Sequence, residues 1–176
     1  MSVNKKQRRI NWHNVLTGAI LFAAGDSIGA LLTGGFLYQR MLGMMLLGGS
    51  LYAWEIPAYF AHLQCRFNKR GLLNAFKRTL AAGLFFNPLW ITRHFVFIKL
   101  FSGQWQTISP DILVIATESF IFCFPFSLLV NYLIQNVISL RKRFLVSSVY
   151  SALTVIYFAL SEVLFAVAGW GFNIQY

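Results

Sequence analysis

The chain has 176 residues, of which 57% are hydrophobic and only 11% charged, and its mean hydropathy is +0.61. A soluble domain of that composition would leave large apolar patches in water, so the expected class is an all-α polytopic membrane protein, one domain over 1–176, with no room for a separate soluble catalytic domain. The formal charge of +10 would elsewhere point to nucleic acid, but here the basic residues sit at the ends of apolar runs, where they set orientation, and no nucleic-acid partner is expected.

Residues 1–11 form a basic segment with Lys5, Lys6, Arg8 and Arg9 and no acid, followed by an apolar run over 12–32. A secretory signal begins in a similar way. Leu21 and Phe22, however, stand where a cleavage site wants small residues, and hydrophobicity resumes beyond Asp26, so a retained first span is predicted. The acid-poor basic start also resembles an organelle-import signal that lacks the usual serines. Further spans are predicted over 41–63, 80–101, 112–140 and 144–170. Each approaches or exceeds the roughly 20 apolar residues that a hydrocarbon core requires. Five crossings are the natural count; four or six are the alternatives, because the fourth segment is long enough to include a surface-lying helix.

The connector after the second span carries Arg66, Lys69, Arg70, Lys77 and Arg78, and the one after the fourth carries Arg141-Lys142-Arg143. The other two hold mainly Arg40, Lys99 and Asp111. The positive-inside rule therefore places the N-terminus and both rich connectors in the cytosol or its organellar equivalent, and the C-terminus opposite. Trp12, Trp90, Trp105 and Trp170 lie near predicted span ends, as interfacial anchors do.

Ionisable groups at membrane depth cost several kcal/mol unless they meet a partner or water. Asp26, Glu55, Arg93, Glu118 and Glu162 give one per span. The functional reading is a hydrated path or relay lined by carboxylates, with Arg93 as countercharge and Asp26, the deepest, on the conducting path. The alternative is that the acids pair with Arg93, Asn131 or freed carbonyls and fix the packing, which suits Glu55, Glu118 and Glu162 near the span ends. Gly25 and Gly29, four residues apart, share a helical face where a neighbour can approach closely. Pro57, Pro88 and Pro125 each remove a backbone hydrogen bond, giving kinks that either open a central cavity or curve the helices around one another. Asn131 reads as an interhelical hydrogen-bond group.

No catalytic template is complete. His62 and Cys65 have ligand spacing but no second pair, so no metal or other cofactor is expected. Cys65 and Cys123 make no disulfide framework. Ala24-Gly25-Asp26 matches only half of an intramembrane aspartyl protease motif, and neither a nucleophile elbow nor a phosphate loop is present, so the expected class is not an enzyme.

Leu16-Thr17, Gly25-Asp26, Arg40-Met41-Leu42, Gly48-Gly49 and Pro57, in that order, resemble the first half of the Mpv-seventeen and peroxisomal membrane protein family. Lys77-Arg78, Pro88, Pro125, Asn131, Arg141 and Ala159-Leu160-Ser161 resemble its second half. The chain departs from the family pattern at Ala82-Gly83, where the family has Asp-Gln, at Phe124, where it has Trp, and in lacking a Gln shortly after Gly25-Asp26. The resemblance implies a small helical protein of the mitochondrial inner or peroxisomal membrane, or of a bacterial inner membrane in a bacterial source, acting as a weakly selective channel for small solutes. The expected function is thus a channel or transporter-like protein for small solutes or ions, with the lipid bilayer and the solute as partners and a homo-oligomer left open. The alternative is a non-catalytic scaffold that binds protein partners or lipid through the basic face at Arg66 to Arg78 and Arg141 to Arg143.

Overall fold

The computed structural model describes residues 11–69 and 71–167, with side chains as far as Tyr157. Among the described residues there is no strand: the fold is all-α. Helix α1 covers Trp12–Leu32. Its first turn is closed by Asn11, whose side chain accepts the His13 amide at 3.1 Å. Its last turn closes as a Schellman motif: the Gly35 amide donates to the Ala30 carbonyl at 2.8 Å, and Gly34 takes the left-handed φ of 73° that the motif needs.

The second rod is one continuous helical path made of α2 (Tyr38–Leu47), a π-helical turn (Gly48–Tyr52) and α3 (Ala53–Arg66). The turn packs against α1 at backbone distance: a Cβ on Gly18 or Gly48 would overlap the other's carbonyl oxygen. Pro57 follows within α3, so the rod is irregular over two successive turns. The third rod is broken. Helix α4 (Leu72–Phe85) ends, and α5 (Pro88–Phe101) starts afresh with Asn87 as N-cap, its side chain accepting the Trp90 amide at 3.0 Å. Pro88 is therefore not a kink within a helix but the first residue of a new one, where its missing N–H costs nothing. After a short 3₁₀ turn at Trp105–Thr107 come α6 (Asp111–Asn136), with Pro125 inside it, and α7 (Leu140–Val167).

Among the described residues two helices, Trp12–Leu32 and Asp111–Asn136, are long and apolar enough to cross a membrane. The expectation of five such helices is not met in that simple form, for identifiable reasons. The second rod is divided by its π turn and the third by the break before Pro88, and the side chains of the last helix are described only as far as Tyr157.

Helix α1 is the centre of one half of the fold, packed by α7, α2 and the π turn; α6 lies on α4 and α5 to form the other half. The halves meet where α2 touches α5, α3 touches α4, and α6 touches α7. Small residues on α1 let α7 pack closely within its half: a Cβ on Gly25 would fall 2.7 Å from both Cα and Cβ of Ala152 on α7. Phe22, Met44, Tyr52, Ile56, Phe60 and Ile134 are the main buried apolar side chains. Large apolar residues are also exposed on nearly every helix, among them Trp12, Leu46, Trp54, Phe122 and Leu153.

Candidate functional site

Three of the five charges expected at membrane depth, Asp26, Glu55 and Arg93, are held in two ion pairs. Arg40 clamps Asp26 through Nε to Oδ2 at 2.8 Å and Nη2 to Oδ1 at 2.5 Å, and both residues are buried. Asp26 is thus balanced by Arg40 at the start of α2 and not by Arg93. The reason is local: the tight turn after α1 folds α2 back alongside it and brings residues 14 positions apart face to face. Arg93 instead holds Glu55, with Nη1 3.2 Å from Oε1 and Nη2 2.6 Å from Oε2, in a less enclosed position. Its guanidinium lies over the rings of Tyr52 at 5.9 Å and Trp90 at 5.6 Å, a cation–π contact on each.

Tyr52, fully buried at the end of the π turn, joins the two halves. Its hydroxyl is 2.9 Å from Nδ1 of His94, and its ring packs on Phe22 and Trp90 at centroid distances of 4.8 and 5.1 Å. Trp90 is also stacked on His94. It sits mid-rod among these rings, whereas Trp12 and Trp105 are exposed at helix ends and Trp170 lies outside the described residues.

Between the two halves is a cavity of ≈ 170 Å³. Its apolar wall includes Phe22, Met44, Phe86, Trp90, Phe95 and Phe120. Two polar stripes complete it. Ser119, Cys123, Ser127 and Asn131 follow one another every four residues on α6, and Ser147, Tyr150, Ser151 and Thr154 face them from α7. The Tyr150 hydroxyl meets that of Ser127 at 2.8 Å and bridges the seam. Asn131, expected to bond between helices, donates to the Ser127 carbonyl of its own helix at 2.8 Å. Ser147 is buried, lines the cavity, and has no hydrogen bond among the described residues. The indole N–H of Trp90 likewise finds no acceptor there.

The predicted site residues therefore divide. Asp26 and Asn131 line the cavity, and Gly25 and Pro125 belong to the helices that build it. Glu55 and Arg93 lie together on a separate surface recess beside Asn87. Glu118 is exposed on α6, away from the cavity wall, with no ion pair among the described residues. Gly29 is buried on α1, Pro57 lies in α3, and the side chain of Glu162 falls outside the described residues. The hydroxyl stripes are the signal that sequence reading missed: the four-residue spacing on α6 is visible in the sequence, but hydroxyls draw less notice than charges.

Two of the connector arginines are structural. Arg78 donates to the Phe67 carbonyl at 2.8 Å and to Asn136 Oδ1. Arg143 donates to the carbonyls of Gln135 and Ile138 at 2.7 and 3.1 Å, closing the C-terminal end of α6. Burial first, and Arg78 second, draw the Arg143 guanidinium, at the connector end of α7, below its ordinary value. Arg66, Lys69, Lys77, Arg141 and Lys142 remain exposed. Among the described residues no group of three or more His, Cys, Asp or Glu side chains is placed to hold a metal ion. Comparison of the chain with protein-family models, with curated proteins and with solved structures gives no match.

Proposed function

We propose that the protein is an integral membrane bundle of five helical rods, α1, α2 with α3, α4 with α5, α6 and α7, that takes small uncharged solutes into the seam between its halves and lets them pass. One observation carries the reading: polar stripes on α6 and α7 face each other across a cavity whose only acid, among the described residues, is already neutralised by Arg40. An ion entering such a space would lose hydration with no free countercharge to replace it, whereas a neutral solute would lose only hydrogen bonds that serines can return. Ions, which the sequence left open as cargo, are accordingly dropped. The exposed apolar residues support the bilayer as solvent, and the family resemblance points the same way.

The test is flux into liposomes holding purified protein. Glycerol entry above that of empty liposomes, without potassium entry, is the expected result, and Ser151→Phe or Cys123→Phe should lower it. A folded protein that passes nothing favours the second reading, a scaffold on an anionic membrane surface. That reading rests on exposed Leu72, Leu73 and Phe76 beside the exposed cations Lys69 and Lys77.

A further inference from the structure

The cavity's chemistry narrows what it holds. Its wall is mostly rings and aliphatic groups, and several of the polar groups facing it are already engaged: Tyr150 with Ser127, Thr154 with the Tyr150 carbonyl at 2.9 Å, Asn131 with the Ser127 carbonyl. Among the described residues, the Ser119, Ser147 and Ser151 hydroxyls and the Trp90 indole N–H on the wall have no hydrogen-bond partner; of the three serines only Ser147 is buried, at 4% exposed. The space is also the right size for one small ring, since apolar cavities of about 150 Å³ hold a benzene molecule.

From the size, the ring-lined wall and the unpartnered Ser147 hydroxyl, we infer that the cavity binds an uncharged, single-ring-sized amphiphile, its apolar body among Phe22, Phe86, Phe95 and Phe120 and its one hydrogen-bonding group against Ser147. This rests on the reading of the seam as a solute site and names the class of solute. It also sets an order of preference. A neutral ring with a hydroxyl exceeds the bare ring, which lacks the bond to Ser147, and both exceed the charged congener, which meets no free opposite charge.

The experiment uses the full chain in lipid nanodiscs with three fluorine-labelled probes: 4-fluorophenol, fluorobenzene and 4-fluorobenzoate. Binding is read from ¹⁹F line broadening against empty nanodiscs at neutral pH. The expected result is saturable binding of 4-fluorophenol, weaker saturable binding of fluorobenzene, and none of 4-fluorobenzoate. Ser147→Ala should weaken 4-fluorophenol about fivefold, the effect of one net hydrogen bond, and leave fluorobenzene unchanged. Ser151→Phe, which fills the space, should abolish both. Any of three outcomes overturns the inference: no saturable 4-fluorophenol binding to the folded wild type, binding indifferent to both variants, or preference for 4-fluorobenzoate. Should Ser151→Phe not fold, the Ser147→Ala contrast decides alone. Glycerol flux without phenol binding would sink the solute class and leave passage standing; phenol binding without glycerol flux would do the reverse.

Discussion

Replacing Asp26 by Leu removes one end of a buried ion pair and leaves the other stranded. The side chains of Asp26 and Arg40 are 3% and 11% exposed, and the guanidinium gives the carboxylate two hydrogen bonds. Breaking a buried pair by deleting one partner costs about 3–5 kcal/mol, because the surviving charge has neither water nor a counterion. Replacing both with apolar side chains of similar volume returns the balance to within about 1 kcal/mol of the wild type, or beyond it. Asp26→Leu and Arg40→Met should therefore each destabilise by that larger amount, and the double variant should recover most of it, giving a coupling of about 3 kcal/mol or more in a double-mutant cycle. Tryptophan fluorescence during denaturant unfolding in mild detergent supplies the free energies. Additive single effects, or a loss below about 1 kcal/mol for Asp26→Leu, would refute the assignment of this pair as a buried clamp. The folded double variant also tests the path, because it should still admit neutral solute and exclude potassium if Asp26 carries none of the selectivity.

The Glu55–Arg93 pair is more open, with side chains 23% and 35% exposed, so Arg93→Gln should cost only about 1 kcal/mol in the same unfolding assay. Gly25→Val should cost about 1–3 kcal/mol or prevent folding, since any Cβ there meets the backbone of Ala152, and helix-crossing loss would show as altered mobility on size exclusion. Arg143→Met should lose about 2–3 kcal/mol through the uncapped carbonyls of α6, whereas its exposed neighbour Lys142→Met should stay within about 0.5 kcal/mol, again by unfolding.

The all-α class was legible because long apolar runs broken by basic connectors read as helices, and α1 occupies the same 12–32 stretch that hydropathy marks. The interruptions were less so. Asn87-Pro88 is a start signal that reads equally as a kink when one looks only at the proline, and the π turn at Gly48–Tyr52 packs its Gly48 against Gly18, a contact that no local pattern encodes. Charge pairing was hidden for a related reason. Helices apolar on nearly every side carry no marker of which face points inward, so the partners of Asp26 and Glu55, 14 and 38 positions away, follow only from how the rods pack. Among the cavity residues, Asp26 and Asn131 drew notice because they are costly in lipid; Ser147, Ser151 and Cys123 did not, because serine and cysteine are tolerated anywhere in a span.

Cys123 provides the most direct test of the claim that solute passes through this cavity, because it already stands on the wall. In the Cys65→Ser chain, methyl methanethiosulfonate adds one methylthio group to Cys123, confirmed by mass, inside a space of ≈ 170 Å³. Glycerol flux in liposomes should then fall, return on reduction, and be indifferent to the reagent in a Cys65→Ser/Cys123→Ser chain. Flux that continues unchanged through fully modified protein would contradict the account and move the path, if there is one, elsewhere in the fold.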